Sequence, residues 1–488
     1  MQTFFQVLND WIWSLALVGL CLGAGLYFSI RTRFMQVRGI GEMIRLMLSG
    51  RESKAGISSF QALAMSLSGR VGVGNIAGVA TAIYAGGPGA VFWMWVMAFL
   101  GASSAYVEST LAQIYKEKDD EGRYRGGPAY YIEKGIGLRS YAWVFAVVTI
   151  LACGFLLPGV QASEIASGMH QAWNVEPWIT ATALVAVLAF IIFGGVTRIA
   201  HFAQVVVPFM ALAYLLLALV ILGLNASALP HMFMLIIDSA FGANAIYGGM
   251  LGTAIEWGVK RGIYSNEAGQ GTAPHAAAAA EVSHPAKQGY VQAFSVYIDT
   301  LLVCSATAFM ILSTGMYNVR APDGAVLHEG LPGVAAGAGY AQAAVETLLP
   351  GYGSGFVALA LLFFAFTTIM AYYYMAETNI AYINRKVHRP WLTLALRLAI
   401  LAAVAIGILR AGGSAWTLGD IGVGLMAWLN FIAILLLQRP ALRALRDYEA
   451  QKKRGVDPWF DPEALGITRT DVWNEVARSR SGSNEGDA

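Results

Sequence analysis

Apolar runs alternate with short polar segments along almost the whole chain, and most runs are long enough to cross a bilayer. A transmembrane helix needs about 20 mostly apolar residues. Counting these runs predicts an all-α polytopic membrane protein with eleven spanning helices. The predicted spans are residues 11–30, 60–84, 90–113, 141–160, 178–195, 201–223, 250–281, 289–312, 355–377, 391–409 and 420–438.

The composition agrees with a membrane protein and argues against an enzyme. Of the 488 residues 57% are hydrophobic and 13% are charged, which is about half of the usual charged fraction of about 25%. The three cysteines lie in apolar runs without CxxC spacing, and the seven histidines form no HExxH motif. No cluster of a nucleophile and a base is evident, so we predict that the protein is not an enzyme.

The distribution of basic residues predicts the orientation. If the N-terminus lies outside, the segments assigned to the cytoplasm hold 26 of the 32 Lys and Arg residues. Arg31 and Arg33 follow the first apolar run, whereas a signal peptide carries positive charge before its run. We therefore predict a multi-pass protein of the cell membrane with its N-terminus outside and its C-terminus in the cytoplasm.

Residues 66–90 contain an unusual concentration of glycine within a predicted span. Gly69, Gly72, Gly74 and Gly78 interrupt an otherwise apolar helix. Irregular backbone inside a membrane survives only where protein or a water-filled cavity surrounds it, and such breaks indicate the binding site of a transporter. The alternative is a glycine-lined contact between two helices.

Residues 225–281 are too long for one span and allow two interpretations. In the first, residues 230–248 lie at the outer face and a helix over 250–281 is broken at 262–271. In the second, residues 239–258 span the membrane, the break lies nearer 248–249, and SNEAG forms a cytoplasmic loop. The first interpretation gives each group of five helices a broken first member.

This count predicts two five-helix repeats of opposite orientation behind one extra helix, as in inverted-repeat secondary transporters. The predicted domains are an N-terminal helix with a cytoplasmic amphipathic helix (1–58), a first repeat (59–224), a second repeat (225–438) and a cytoplasmic tail (439–488).

Five sequence blocks resemble the alanine or glycine:cation symporter family. They are GVGNIAGVATAI (72–83), GGPGAVFWMWVMAFLGA (86–102), GRYRGGPAYYIEKGIG (122–137), RGIYSNEAGQGTAPHAAAA (261–279) and PAKQGYVQAFSVYIDTLLVC (285–304). The resemblance covers nearly the whole chain. It implies a leucine-transporter-like fold of five plus five helices and sodium-coupled uptake of a small neutral amino acid.

The resemblance also implies a substrate site at the two breaks. The amino acid carboxylate needs N–H donors, which the first break offers, and its ammonium needs oxygens, which the second break offers. Gln161 and Tyr372 are expected to line the same site. The predicted substrate residues are Gly72, Val73, Gly74, Asn75, Gln161, Tyr264, Ser265, Asn266 and Tyr372.

Sodium is the co-transported ion that the resemblance implies, and it needs about five oxygen ligands. Thr367 and Thr368 are assigned to it, although a membrane threonine more often bonds only to its own helix. The carbonyls of Ser68, Gly69 and Val71 are the expected partners.

Ionisable residues inside a membrane are candidates for function. Arg70 and Glu267 lie in the two breaks, so an ion pair that opens and closes during transport is one hypothesis. The other hypothesis is that these two residues form a fixed structural ion pair. Glu108, Asp299 and Glu377 are placed near cytoplasmic helix ends, with gating or structural roles.

The sequence thus predicts a sodium-coupled symporter for alanine, glycine or a similar amino acid, functional as a monomer in a lipid bilayer and without nucleic acid partners. The alternatives are proton-coupled symport, and an amino-acid-gated channel or sensor on the same fold. A channel favours a continuous polar stripe along several helices, and none is visible.

Overall fold

The computed structural model is almost entirely helical and describes residues 2–48, 56–244, 246–387, 389, 391–409 and 414–484. The first helices are α1 (Gln2–Ile12), α2 (Leu15–Arg31), α3 (Met35–Arg38), α4 (Ile40–Leu48), α5 (Ser59–Arg70), α6 (Val79–Gly86), α7 (Gly89–Ile114), α8 (Pro128–Tyr131), α9 (Arg139–Leu151), α10 (Leu157–Trp173), α11 (Pro177–Ile192) and α12 (Gly195–Leu224). The others are α13 (Leu229–Ala240), α14 (Leu251–Asn266), α15 (Ala273–Ala279), α16 (Pro285–Val296), α17 (Ser305–Thr314), α18 (Ala338–Leu348), α19 (Gly353–Val387), α20 (Trp391–Leu409), α21 (Ser414–Lys453) and α22 (Asp471–Asn484).

Wider and tighter helical turns, and two short hairpins, complete the described secondary structure. The π-helical segments are Gly74–Gly78, Ile132–Ile136, Ala152–Leu156 and Tyr297–Cys304, and the 3₁₀ turns are Ala226–Ala228 and Gly248–Met250. The antiparallel strand pairs are β1 (Glu117–Lys118) with β2 (Tyr124–Arg125), and β3 (Asn318–Arg320) with β4 (Val326–Glu329). π-helical turns are rare and are frequent at functional sites.

Among the described residues, eight continuous helices are long and apolar enough to cross a membrane. They are Phe4–Arg31, Gly89–Ile114, Arg139–Trp173, Arg198–Leu224, Pro285–Thr314, Gly353–Val387, Trp391–Leu409 and Ala415–Lys453. All eight overlap predicted spans. The other three predicted spans correspond to α11, which has 16 residues, and to two helices that are interrupted.

The helices farthest from the centre expose large apolar side chains. Phe209, Leu212, Leu216 and Leu219 on α12 are each more than half exposed. A water-soluble monomer rarely exposes so continuous an apolar surface, whereas lipid chains cover one readily. This face therefore agrees with a helix at the lipid boundary.

The two interrupted helices lie in the interior. The first consists of α5 and α6, separated by residues 71–78. The second consists of α14 and α15, separated by residues 267–272. Because α14 begins at Leu251, after turns at residues 241–244 and 246–250, a helix over 239–258 is wrong and a helix from 250 with a later break is confirmed.

Helix α7 is the centre around which the broken helices pack. It lies against α2, α14, α15, α16 and α21, while α10 packs against α19 and α20. A Cβ atom on Gly258 of α14 would lie 2.5 Å from the Trp93 Cβ and 2.6 Å from the Ala90 carbonyl oxygen. Glycine here allows the backbones of α7 and α14 to approach closely, as is typical of membrane helix contacts.

The tail is docked onto the rest of the chain by its aromatic residues. Trp473 is 2% exposed, its indole N–H donates to the Gln113 carbonyl at 2.7 Å, and its ring contacts Phe460 at 5.0 Å. An ion pair of 2.8 Å joins Lys134 to Asp471. These contacts attach the tail to the ends of α7 and of the segment after α8.

Replacing Trp473 with Ala is expected to release this tail, because truncating a buried Trp costs about 3–5 kcal/mol. Limited digestion with trypsin should then cleave residues 439–484 at least about tenfold faster than in the wild type. Val456→Ala is the matched control, since Val456 is 50% exposed and should leave the rate unchanged. Equal digestion of all three proteins would show that Trp473 does not anchor the tail.

Candidate functional site

The first interruption begins where two backbone amides turn away from the helix. The Gly72 N–H donates to the Asn75 side-chain oxygen at 2.8 Å, and the Val73 N–H donates to Gln161 Oε1 at 3.0 Å. In a continuous helix these amides would bond to carbonyls four residues earlier. The carbonyls of the last turn of α5 are therefore released.

The released carbonyls meet the Thr368 hydroxyl of α19, and the Thr367 hydroxyl shares one acceptor with it. Thr368 Oγ1 lies 2.8 Å from the Ser68 oxygen, 3.4 Å from the Val71 oxygen and 3.0 Å from the Phe364 oxygen. Thr367 Oγ1 lies 2.9 Å from the same Phe364 oxygen. Five oxygens from two elements thus converge in the protein interior. Hard cations bind such sets of carbonyl and hydroxyl oxygens.

This oxygen cluster (Ser68, Val71, Phe364, Thr367 and Thr368) differs from the predicted sodium ligands at two positions. The Gly69 carbonyl is not among the oxygens that Thr368 reaches. The Phe364 carbonyl was missed, because a backbone oxygen inside a helix leaves no signal in the sequence. The i−4 bond that threonines commonly make, here from Thr368 to Phe364, is what brings this oxygen into the cluster.

The second interruption releases carbonyls in the same way. The amides of residues 268–270 bond to the Asn266 side chain at 3.0 Å, to Glu108 at 3.1 Å and to the Glu267 carbonyl at 3.1 Å. Glu267 itself has a left-handed backbone, with φ of 55°. The last turn of α14 therefore presents the carbonyls of residues 264–266 without the amides that would continue the helix.

Glu108 holds the second interruption in place. The prediction that it lies near a solvated cytoplasmic helix end was wrong. Its carboxylate accepts hydrogen bonds from the amides of Gly269 and Gly271, both at 3.1 Å, and from Asn430 Nδ2 at 2.7 Å. Glu108 is fully buried. Its position near the end of α7 suggested easy solvation, but the second interruption and α21 cover that end.

The two interruptions touch at glycines. A Cβ atom on Gly74 would lie 3.0 Å from the Ser265 Cα, and one on Gly69 would lie 3.2 Å from Glu267 Oε2. Distances this short are tolerated only because neither residue has a side chain. The glycine-dense stretch is thus the place where one interruption meets the other.

Asp299 lies between both interruptions rather than near a cytoplasmic helix end. It accepts hydrogen bonds from Asn75 Nδ2 at 2.6 Å, Ser265 Oγ at 3.0 Å and Thr300 Oγ1 at 2.7 Å. The span runs from Pro285 to Thr314, so Asp299 is at its middle. The predicted span, residues 289–312, also has Asp299 near its centre, so the expectation that Asp299 lies near a cytoplasmic helix end was wrong.

The side chain of Asn75 is bonded within the protein at both of its polar atoms. Its oxygen is occupied by the Gly72 amide, and its nitrogen by the Asp299 carboxylate. Asn75 therefore ties the first interruption to Asp299. Asn266 makes a comparable link in the second interruption, since its Nδ2 donates to Thr300 Oγ1 at 3.2 Å.

The hypothetical ion pair between Arg70 and Glu267 is not formed in the described residues. Arg70 Nη1 donates instead to the Gln292 carbonyl at 3.0 Å and to the Ser295 hydroxyl. Arg70 Nη2 and Glu267 Oε1 are buried without hydrogen-bond partners among the described atoms. Arg70 is the last residue of α5, and its helical backbone directs it toward α16.

Aromatic side chains close one side of the site. The Tyr264 ring packs on the Trp416 ring at 5.2 Å, and the Trp416 indole donates to Glu164 at 2.9 Å. Tyr372 is 2% exposed and lies close to Gln161. Tyr264 is thus part of an intact helix beside the interruption and not of the interruption itself.

A cavity of about 410 Å³ lies beyond the Tyr264–Trp416 pair. Asp420 closes its inner end, bonding to Arg261 at 2.8 and 3.0 Å and to Lys260 at 2.9 Å. The cavity is lined by α1, α2, α14 and α21, including Asn9, Trp13, Glu256, Trp257 and Thr417.

Replacing Asn75 with Ala is expected to weaken binding of alanine, the substrate that the family resemblance implies, by about a hundredfold. It leaves the Gly72 amide and the Asp299 carboxylate each without a buried partner, at about 1–3 kcal/mol per group, or about a hundredfold in affinity overall. Binding of radiolabelled alanine to the purified protein measures this. Asn225→Ala is the control, because the Asn225 side chain donates only to the Ile221 carbonyl of the preceding helix. Normal binding by the Asn75 variant would remove this residue from the site.

In the part of the chain that the structure describes, eight apolar helices and two interrupted helices that meet in the interior are the features expected of an integral membrane transporter. A sequence profile described as the sodium:alanine symporter family matches residues 1–462. The chain belongs to that family.

Three relatives align over nearly their whole lengths. The putative sodium/proton-dependent alanine carrier protein YrbD of Bacillus subtilis (strain 168) is 61% identical, over 97% of this chain and 98% of the relative. The sodium/proton-dependent alanine carrier protein of Bacillus sp. (strain PS3) is 54% identical, over 88% of this chain and 97% of the relative. The probable sodium/glutamine symporter GlnT of Bacillus subtilis (strain 168) is 43% identical, over 97% and 98%.

Proposed function

We propose that this protein is a sodium-coupled symporter that carries alanine, glycine or a similarly small neutral amino acid into the cell. Alternating access around the two interrupted helices moves both solutes across the membrane. The observation that carries the proposal is the oxygen cluster beside the first interruption. The names of the relatives support alanine as the substrate.

Sodium binds in the oxygen cluster. The Ser68 and Val71 carbonyls belong to the first interruption, and the hydroxyls of Thr367 and Thr368 belong to α19. The Thr368 hydroxyl lies within hydrogen-bond distance of these carbonyls, and rotation of the hydroxyl turns its lone pairs toward an ion. Sodium therefore fixes the first interruption against α19.

The substrate carboxylate takes the place of a side-chain oxygen at the first interruption. Gln161 Oε1 now accepts from the Val73 amide at 3.0 Å, as a carboxylate oxygen would. When a carboxylate oxygen replaces the Gln161 oxygen, the Val73 amide keeps a hydrogen-bond acceptor. The amides around Gly72 and Gly74 and the positive end of the following helix favour the negative charge.

The substrate ammonium binds the free carbonyls at the end of α14, those of residues 264–266. The aromatic rings of Tyr264 and Tyr372 form the wall beside it. Space is limited by backbone contacts such as the one between Gly74 and Ser265. A site of this kind accepts a methyl side chain more readily than a long one.

The fold that fits this function has eleven spans, in which the eight continuous helices are joined by α11 and the two interrupted helices. Spans two and seven then run in opposite directions and open two inverted five-helix repeats, as in leucine-transporter-like proteins. The domains are those given by the sequence, 1–58, 59–224, 225–438 and 439–488. The N-terminus lies outside, the C-terminus in the cytoplasm, and one protomer in the cell membrane is sufficient.

Proton coupling is the second candidate, because the names of two relatives include both ions. Uptake of radiolabelled alanine into proteoliposomes separates the two. An inward sodium gradient should drive accumulation without a pH gradient, and unlabelled glycine should compete better than glutamine. Accumulation driven by a pH gradient alone would show that the coupling ion is the proton. The protein would still be an amino acid symporter.

A further inference from the structure

The two interrupted helices also meet at the ends that lie away from the site. Ile57, shortly before α5, and Ala280, directly after α15, form a parallel bridge. The Ile57 amide donates to the Ala279 carbonyl, and the Glu281 amide donates to the Ile57 carbonyl, both at 3.0 Å. Both α5 and α15 run from this bridge to the interruptions. An opening of the site on this side therefore has to separate or displace these two ends.

Side chains that follow one another at the end of α7 hold the end of α15. Gln113 Nε2 donates to the carbonyls of Ala277 and Ala280, the latter at 2.9 Å. Lys116 Nζ donates to the same Ala280 carbonyl at 2.9 Å. The last turn of a helix leaves its carbonyls without partners in that helix. These two donors therefore satisfy the end of α15 and fix its position.

The tail lies directly on these two donors. The Trp473 indole N–H donates to the Gln113 carbonyl at 2.7 Å, and the Trp473 ring centre is 5.2 Å from Lys116 Nζ. The ring of Tyr124 contacts the same ammonium group at 4.1 Å. A cation is attracted to the face of an aromatic ring, more strongly when water is excluded. The tail thus completes the surroundings of the buried ammonium group that holds α15.

The tail also bonds to the link that follows α15. The Phe460 amide donates to the Ser283 carbonyl at 3.0 Å, and the Ser283 hydroxyl donates to the Pro458 carbonyl at 2.8 Å. The Phe460 ring lies 5.4 Å from the His284 ring and 5.0 Å from the Trp473 ring. Two parts of the tail therefore form one aromatic unit on this link.

We propose that residues 458–473 of the tail act as a strap that keeps the ends of α5 and α15 together, so that the site opens on this side only after the strap undocks. The proposal rests on the proposed function, because alternating access needs such an opening. The predicted orientation places this side in the cytoplasm. The strap would then control release of the solutes into the cell.

The contacts explain why the strap favours the closed arrangement. Opening moves the end of α15 away from Gln113 and Lys116, and it also breaks the bonds between Ser283 and the strap. Contacts that exist in only one of two states shift the population toward that state. Undocking in addition exposes the buried rings of Phe460 and Trp473, which costs free energy.

Alkylation of Cys304 by N-ethylmaleimide, followed by peptide mass spectrometry, tests this proposal. Cys304 Sγ lies 3.3 Å from Asn75 Nδ2 and 3.2 Å from Ser265 Oγ, so its reactivity reports access to the place where the two interruptions meet. In sodium-free choline buffer, purified Trp473→Ala and Phe460→Ala should each react at Cys304 at least about tenfold faster than the wild type.

Two controls accompany this measurement. Val456→Ala should react at the wild-type rate, because Val456 is 50% exposed and lies outside the strap. Cys21, which is buried on α2, serves as an internal standard whose rate should be the same in every variant. An equal rise at Cys21 and Cys304 would show that the tail stabilises the whole fold, which would overturn the strap.

The strap is also overturned if trypsin shows that the tail of Trp473→Ala is released while Cys304 reacts as in the wild type. The tail would then be a structural anchor only. The proposed function is tested separately, because sodium and alanine together should slow alkylation of Cys304 in the wild type. Absence of this protection, with the acceleration in Trp473→Ala still present, would contradict the proposed function and support the strap.

Discussion

Replacing Thr368 with Val is expected to reduce sodium-driven alanine uptake by at least about a hundredfold. The hydroxyl that is lost reaches the carbonyl oxygens of Ser68, Val71 and Phe364. Without it, two buried carbonyls lose their partner and the sodium ion loses a ligand, which together cost about 3 kcal/mol. Valine has nearly the same shape, so packing against α5 is preserved. The measurement is the initial rate of uptake in proteoliposomes as a function of sodium concentration.

Thr149→Val is the control for this variant. Thr149 is buried in the protein interior and its hydroxyl bonds only to the Phe145 carbonyl of its own helix, at 2.9 Å. The same chemical change there should leave the sodium dependence intact. A Thr368 variant that retains wild-type sodium dependence would exclude the oxygen cluster as the sodium site.

Replacing Gly72 with Ala is expected to abolish binding of both solutes. The new Cβ would lie 2.4 Å from Thr368 Oγ1 and 3.0 Å from Gln161 Oε1, which are the groups assigned to sodium and to the substrate carboxylate. Real Cβ atoms do not tolerate the first distance, and the second is tighter than most contacts, so the first interruption must move away from α19 and the Gln161 side chain must shift. Calorimetric titration with alanine, in sodium buffer, should show no measurable heat of binding.

Gly78→Ala is the matched control on the same interrupted helix. A Cβ atom there has no neighbour closer than the Val73 carbonyl oxygen at 3.8 Å. This substitution should preserve binding and raise stability by up to about 1 kcal/mol, because alanine loses less backbone freedom in a helix. Equal loss of binding in both variants would show that the interruption needs flexibility and not space at Gly72.

The positions of the helices could be predicted because the apolar runs have the length of a bilayer. Both interruptions were also predictable. Glycine density marked the first, and the excess length of residues 225–281 marked the second, which the structure places at residues 267–272. The adjacent threonines in an apolar helix, together with the family resemblance, indicated Thr367 and Thr368 as candidate sodium ligands.

The contacts of the buried polar side chains could not be predicted. Hydropathy shows that Asp299 and Glu108 lie in spans, but not which helix faces them. Asp299 lies in the π-helical segment Tyr297–Cys304, so a regular α-helical pattern does not predict the face of the helix on which it lies. Arg70 and Glu267 were linked because both flank the interruptions, whereas the direction of each side chain depends on tertiary packing.

The central claim is that sodium and alanine bind together where the two interrupted helices meet. Linkage requires that each ligand raises the affinity for the other by the same factor. The most direct measurement is calorimetric: the Kd of alanine in sodium and in choline buffer, and the Kd of sodium with and without alanine. We expect both affinities to rise by the same factor, at least about tenfold. An alanine Kd that is the same in choline as in sodium would contradict the account.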